Sequence, residues 1–299
     1  MDYEQYLKGE GYTLKTIEGK LRAGELFKKW CKRQATPPEA IDYKLCLKYI
    51  QYLQRKGNTK RTINHKLGSL KTYFKYLISE ARRSDNPLED VSVKGVVRKV
   101  HHNLLEPDEL EDLYYSFPTR NIKDPYHQLT AQRNRVMVGL LVYQGLKTSE
   151  LIRLEVEDAL PHKGKIYIRG SRKSNARTLE LKPWQVLELQ EYVGQTRESI
   201  VERRKVTSDR LFIPGNARLG NTLLHIVKKL RATNQKVVNV HQLRASVITH
   251  WLSQYNLREV QYRAGHRYIS STEKYLQDDL EGLHEMVDRF HPIGGTSDH

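Results

Sequence analysis

Between His241 and Tyr275 the chain reads HQLRASVITHWLSQYNLREVQYRAGHRYISSTEKY. His241 and Arg244 stand at i and i+3, a spacing that projects both from one face of a helix. An imidazole and a guanidinium placed in that way converge on one small anion. Gly265-His266 and then Tyr275 follow in order, adding a second imidazole and a phenolic hydroxyl to the same stretch. Val247, Ile248, Trp251 and Leu252 form an apolar stripe that buries the helix and leaves the polar pair at its start. Asn256 and the Gly265-His266 pair break the pattern and allow the chain to double back.

The elements that must hold these groups fall into two sets. Residues 1–90 read as helices. Thr13 to Lys32 carries Leu14, Ile17, Leu21, Phe27 and Trp30, with Thr13 as N-cap. Ile41 to Leu53 repeats the pattern, and Thr62 to Ala81 keeps Ile63, Leu67, Leu70, Phe74 and Leu77 on one face, with Thr59 or Thr62 as cap. Asn86-Pro87 ends this run, because the residue before proline resists the α region. Residues 91–103 form a basic, extended linker. A second domain, residues 104–299, opens with a helix at Glu106-Pro107-Asp108 and continues with a helix from Gln132 to Tyr143, stopped by Gly145. Lys165 to Arg169 and Ala176 to Leu181 alternate like strands around the loop GSRKSN. Leu211 to Pro214 reads as a short buried strand or turn, Asn221 to Arg231 as a helix, and Leu280, Leu283, Val287 and Phe290 as a C-terminal amphipathic helix. The expected fold is mainly α with a small β-sheet.

Composition narrows the partner. Fifty-one lysines and arginines against 35 aspartates and glutamates leave a formal charge of +16, which favours a polyanion, most often nucleic acid. Along the third helix Lys60, Arg61, His65, Lys66, Lys71 and Lys75 lie off the apolar stripe. They form either a solvated face or a groove-lining face that contacts phosphates, with Asn64 or Ser69 for base contacts. Cys31 and Cys46 lack CxxC spacing and read as core residues of a reduced, cytoplasmic protein. No signal segment or membrane-length apolar run is seen, and no His/Cys/Asp/Glu set has metal-ligand spacing.

The ordered set His-x-x-Arg, Gly-His and Tyr resembles the active-site box of the tyrosine recombinases, the phage integrase family. The heptapeptide Gly145-Leu146-Lys147-Thr148-Ser149-Glu150-Leu151 resembles that family's first box, with Lys147 where the family places an arginine. The small helical N-terminal domain looks like the family's core-binding domain, and the 170–175 loop like the hairpin that carries its mobile lysine. The resemblance implies a helical DNA-gripping domain joined to an α+β catalytic domain, acting on double-stranded DNA in a prokaryotic cytoplasm. It also implies a homo-tetramer on DNA, or a mixed tetramer with a second recombinase, and neither cofactor nor metal.

The implied site contains Tyr275 as nucleophile, because among 18 tyrosines it alone has the family's spacing after His266; Tyr262 and Tyr268 are its neighbours. A tyrosine hydroxyl stores the bond energy as a phosphotyrosyl ester. Arg244, Lys147 and His266 supply donors to the non-bridging oxygens, and His241 manages protons. Lys173 protonates the leaving 5′ oxygen, with Arg172 and Lys165 as competitors for that role, and Glu150 supports the first-box cation. Lysine is a point charge where arginine grips two oxygens. Lys147 therefore opens a second reading, a catalytically weakened DNA-binding regulator. A related strand-transfer enzyme with a topoisomerase-like or hairpin-resolving outcome is a third.

Overall fold

The computed structural model describes residues 2–96, 103–119, 122–214 and 218–276. The chain divides into two compact units, Met1–Lys99 and Val100–His299. The first is built from α1 (Tyr3–Gly9), α2 (Leu14–Arg33), α3 (Tyr43–Arg55) and α4 (Lys60–Ser79). The caps are local and polar: Asp42 accepts from the Leu45 N–H at 2.8 Å and Thr59 from the Thr62 N–H at 3.2 Å, each worth about 1 kcal/mol. Phe27 and Trp30 of α2, Tyr49 and Leu53 of α3 and Ile63, Leu67, Phe74 and Leu77 of α4 fill the core. Free Cys31 and Cys46 are buried in it. Leu14, placed on the α2 stripe by pattern, is 73% exposed, so the buried face begins at Ile17.

The helical run ends earlier than Asn86-Pro87. Helix α4 stops at Ser79, and Ala81 takes a positive φ of 53°, a left-handed turn that terminates the helix without proline. Residues 91–96 return along α4, where the Asn64 amide donates to the Val93 carbonyl at 2.9 Å and accepts its N–H at 2.8 Å. Residues 97–102 of the basic linker lie outside the described residues, as does the C-terminal helix expected around Leu280 to Phe290.

The second unit contains α5 (Pro107–Tyr115), α6 (Pro125–Val142), α7 (Thr148–Arg153), β1 (Ala159–Leu160), β2 (Lys165–Ile168) and β3 (Arg177–Glu180). There follow α8 (Pro183–Glu191), α9 (Arg197–Arg204), α10 (Leu219–Thr233), α11 (Val240–Gln254) and α12 (Leu257–Ala264). The fold is mainly α with one antiparallel sheet in the order β1-β2-β3. Helix α6 begins seven residues before Gln132, capped by Asp124 with Pro125 in its first turn; polar first turns hide that start from a periodicity search. Helices α8 and α9 join through a π-type turn at Tyr192–Thr196, and pattern gives no hint of this rod because Leu187 faces solvent. Among the described residues no helix is long and apolar enough to cross a membrane.

Helix α11 runs through the core on Leu243, Val247, Ile248 and Trp251, packed with Met137, Leu140 and Leu141 of α6. The β2–β3 register pairs Ile166 with Leu179 and Ile168 with Arg177. Side chains alternate across a strand, so Arg177 occupies an inward position in phase with Leu179, and both are buried.

Candidate active site

Two helix caps and two glycine turns bring the site together. Asn239 caps α11, accepting from the Gln242 N–H at 2.9 Å, and Asn256 caps α12, accepting from the Glu259 N–H at 3.0 Å. Gly145, at φ 57°, ends the segment after α6; a Cβ there would crowd Val247 at 3.2 Å. Gly265, at φ 63°, ends α12. Arg244 projects from α11 into the space between these glycine turns and is 4% exposed. Its guanidinium donates to the Gly145 carbonyl and to the Ala264 carbonyl, each at 2.6 Å. Those two acceptors fix the plane of the guanidinium.

His266 lies against that plane. Arg244 Nη2 is 3.2 Å from His266 Nε2, and His266 Nδ1 is 2.9 Å from Thr272 Oγ1. Arginine only donates, so Nε2 accepts and the proton sits on Nδ1, shared with Thr272. Burial, followed by the charges of Arg244, Lys147 and Arg177, pushes the imidazole down to about 3. His266 is therefore neutral near pH 7, and both ring nitrogens are committed. In this arrangement it orients Arg244 and has no spare N–H for a phosphate oxygen.

Tyr275 lies on the helical segment 270–276. Its ring stacks on His266 at 5.8 Å between centroids and 9° between planes, and its hydroxyl hydrogen-bonds the Arg244 guanidinium. The neighbouring tyrosines are elsewhere: the Tyr262 hydroxyl accepts the Thr178 N–H at 3.1 Å, and Tyr268 is 68% exposed.

Lys147 is the N-cap of α7, and its N–H donates to Glu150 Oε2 at 2.9 Å. Its half-buried ammonium is pushed down to about 8, first by burial and then by the Arg244 charge, with Glu150 opposing. Glu150 is fully buried, yet its strong partner is not the first-box cation. Arg177 holds it in a two-pronged ion pair, Nη1 to Oε1 and Nη2 to Oε2, both 3.0 Å. Arg244 Nη1 is 4.0 Å from the same carboxylate. Burial pushes Glu150 up, but Arg177, the Lys147 N–H and Arg244 more than offset it and hold the carboxyl below its usual range.

The remaining expected residues are spread around this cluster. His241 is exposed on the first turn of α11, one turn before buried Arg244. Lys173 and Arg172 are exposed on the β2–β3 loop, while Lys165 starts β2. The loop is stitched to the His266 turn: Asn175 N–H donates to the Gly265 carbonyl at 3.2 Å, and Arg267 to the Arg172 carbonyl at 2.7 Å. In the first unit Lys60, Arg61 and His65 are exposed on α4. Lys66 donates to Asn58 Oδ1 at 2.7 Å and Lys71 to the Glu89 carbonyl at 2.6 Å. The Asn64 amide is spent on Val93 and Ser69 is buried with its hydroxyl on the His65 carbonyl, so the fold uses both.

Two residues of the cluster escape the motif. Arg177 left one signal, a charged side chain in the inward phase of ARTLEL. Thr272, fully buried on His266, left none.

A sequence model of the phage integrase family matches residues 103–281, and one of the phage integrase SAM-like domain matches residues 3–94. The chain belongs to the phage integrase family. As a tyrosine recombinase it is 26% identical over 274 residues to tyrosine recombinase XerC of Anoxybacillus flavithermus, covering 90% of this chain and 88% of that one. It is 28% identical over 295 residues to tyrosine recombinase XerA of Pyrococcus furiosus, covering 96% and 92%. Two solved structures share the recombinase fold. The Tn1549 transposon integrase in complex with a circular intermediate DNA has a TM-score of 0.61 at 18% identity, over 95% of this chain and 98% of that one. XerH site-specific recombinase bound to its palindromic difH substrate has a TM-score of 0.62 at 22% identity, over 83% and 72%.

Proposed function

We propose that this tyrosine recombinase carries out site-specific recombination by cutting and rejoining duplex DNA through a 3′-phosphotyrosyl intermediate on Tyr275, without metal or ATP. The observation that carries the proposal is the contact of the Tyr275 hydroxyl with Arg244 beside His266. A guanidinium fixed by two carbonyls is a preorganised site for a phosphodiester oxygen, and it stands beside the attacking oxygen. The Tyr275 oxygen bonds to phosphorus as the 5′ oxygen leaves. The phenolic proton passes to His241 or to water, and Lys173 returns a proton to the leaving oxygen. Arg244 and Lys147 take the charge that develops on the non-bridging oxygens, while neutral His266 keeps Arg244 in place. The ester retains the bond energy, so a second 5′ hydroxyl can reverse the step on a new strand.

In this reading residues 1–90 grip DNA, chiefly through Lys60, Arg61, His65, Lys66 and Lys71, and residues 104–299 cut it. Recombination proceeds on paired sites in a homo-tetramer or in a mixed tetramer, within a bacterial or archaeal cytoplasm. The relatives from Anoxybacillus flavithermus and Pyrococcus furiosus support that setting.

Lys147 supports the alternative of a weakened, DNA-binding regulator. Covalent trapping separates the two. Nicked suicide duplexes tiled from the DNA flanking the gene are incubated with the protein, with Tyr275→Phe as control. The expected result is a denaturation-resistant protein–DNA band that is lost in the control. Salt-sensitive binding with no band, even after Lys147→Arg, favours the regulator. Product topology on two-site DNA separates recombination from topoisomerase-like or hairpin-resolving outcomes.

A further inference from the structure

We propose that Arg177 is a positioning residue: by taking the Glu150 carboxylate for itself, it leaves Lys147 and Arg244 to hold a phosphodiester. The reaction it serves rests on the recombinase reading; the geometry does not. Three cations, Lys147, Arg177 and Arg244, surround the single carboxylate of Glu150, and neutral His266 adds no charge. Distances assign that carboxylate. Arg177 meets it twice at 3.0 Å, whereas Arg244 stands at 4.0 Å with its own donors on two carbonyls. A planar fork suits this two-pronged grip, and lysine could not reproduce it. Among the described residues the cluster therefore carries an excess of positive charge before any substrate arrives, in a partly desolvated space suited to an anion.

The surrounding chain is shaped for this guanidinium. Arg177 Nε donates to the Arg263 carbonyl at 2.7 Å. Gly265 passes directly over it: a Cβ there would stand 2.8 Å from Cζ and closer still to Nη1. Any other residue at 265 displaces the fork. The same arginine begins β3, so the ion pair also fixes the hairpin loop carrying Lys173 against the Gly265-His266 turn, where Asn175 bonds both residues.

Two measurements on the full-length protein test this, and one needs no cleavage. The first is acylation of Lys147 against pH, read by mass spectrometry. The charged groups acting on Lys147 are Arg244 from α11, Glu150 and Arg153 from α7 and Arg177 from β3. In Arg177→Met the Glu150 carboxylate loses its partner and turns to Lys147 and Arg244, so the acylation midpoint moves to higher pH. A folded variant with an unmoved midpoint overturns the proposal. The second is suicide-substrate cleavage. It falls about 100-fold in Arg177→Met and returns to within about 10-fold of wild type in Arg177→Met/Glu150→Gln, which removes both charges together. A folded double variant no better than the single one overturns the proposal. If Arg177→Met does not fold, the double variant carries the test alone: near wild-type cleavage supports the proposal, and a folded but inactive protein sinks it. A protein that forms no adduct, even as Lys147→Arg, defeats the recombinase reading, and the acylation midpoint still decides Arg177.

Discussion

The cations of α4 and those around Glu150 are the same residue types put to opposite uses. On α4, Lys60 and Arg61 are exposed, and Lys66 and Lys71 rest on neutral oxygens of their own unit. Water screens each of them, and each contributes little to stability. Around Glu150, Arg177 and Arg244 are buried with one carboxylate between them, and Lys147 is half-buried beside them. There the fold supplies carbonyls and glycine turns to hold charge in place. An exposed cation is replaceable and adds affinity; a buried one in a cluster with more cations than carboxylates is preorganised for a single anion. Substitutions in the two regions should therefore fail in different ways.

The largest effect is expected at Arg244. Arg244→Ala removes the donor at the phosphate and the partner of the Tyr275 hydroxyl, so suicide-substrate cleavage should fall by about 10²- to 10³-fold. It also strands the buried Gly145 and Ala264 carbonyls, which costs about 1–3 kcal/mol per unsatisfied group, measurable by denaturant unfolding. If activity and stability both stay intact, the buried cluster is not the site.

Lys147 sharpens the contrast because, unlike arginine, it titrates. Its ammonium is pushed down to about 8, first by burial and then by Arg244. The charged form is the one that holds a phosphate, so cleavage at subsaturating DNA should decline as pH rises through about 8. Stability should respond in the opposite sense. Between that value and the higher value of the unfolded chain, the unfolded state binds the extra proton, so the Lys147 contribution to stability rises with pH. Below about 8 the penalty for the buried charge is fully present. Lys147→Arg should abolish the alkaline decline and raise cleavage, whereas Lys147→Ala should lower it by about 10- to 10³-fold. A decline that persists in Lys147→Arg assigns it to another group.

Much of this was legible beforehand, and the exceptions share a cause. Val247, Ile248 and Trp251 at helical spacing announced α11 and left His241 and Arg244 as a polar pair at its start, but did not show that Arg244 would be buried while His241 stays exposed. Gly145 and Gly265 announced the turns that receive Arg244. Local pattern carries such information because caps, glycines and apolar stripes act within a few residues of themselves. What escaped was long-range pairing. Glu150 finds Arg177 across 27 residues, and Gln144 finds Gln185 across 41; no spacing rule links them. The tautomer of His266 depends on Thr272 and Arg244 together, so the commitment of both its nitrogens could not be read from the motif. On α4 the long-range contact acts in the reverse sense. Asn64 and Ser69 look like base readers in the sequence, but the returning chain at Val93 and the helix itself consume their polar atoms.

The smallest effects belong to α4, and they separate its cations from one another. Lys60→Ala and Arg61→Ala should leave unfolding unchanged, since neither exposed side chain supports a buried group. If each contacts a phosphate, each should lower the slope of log affinity against log salt by about one, uniformly across sequences. Lys71 differs, because its ammonium donates to the Glu89 carbonyl at 2.6 Å and thereby ties α4 to the turn at Asn86–Glu89. Lys71→Ala should cost a few tenths of a kcal/mol in stability and change the salt slope less than Lys60→Ala does. Lys71→Gln sharpens the comparison, because its amide can keep a hydrogen bond to Glu89 while the charge is lost. A salt slope lowered as much by Lys71→Gln as by Lys60→Ala would mean that DNA pulls Lys71 away from Glu89, and that α4 presents one continuous phosphate-binding face.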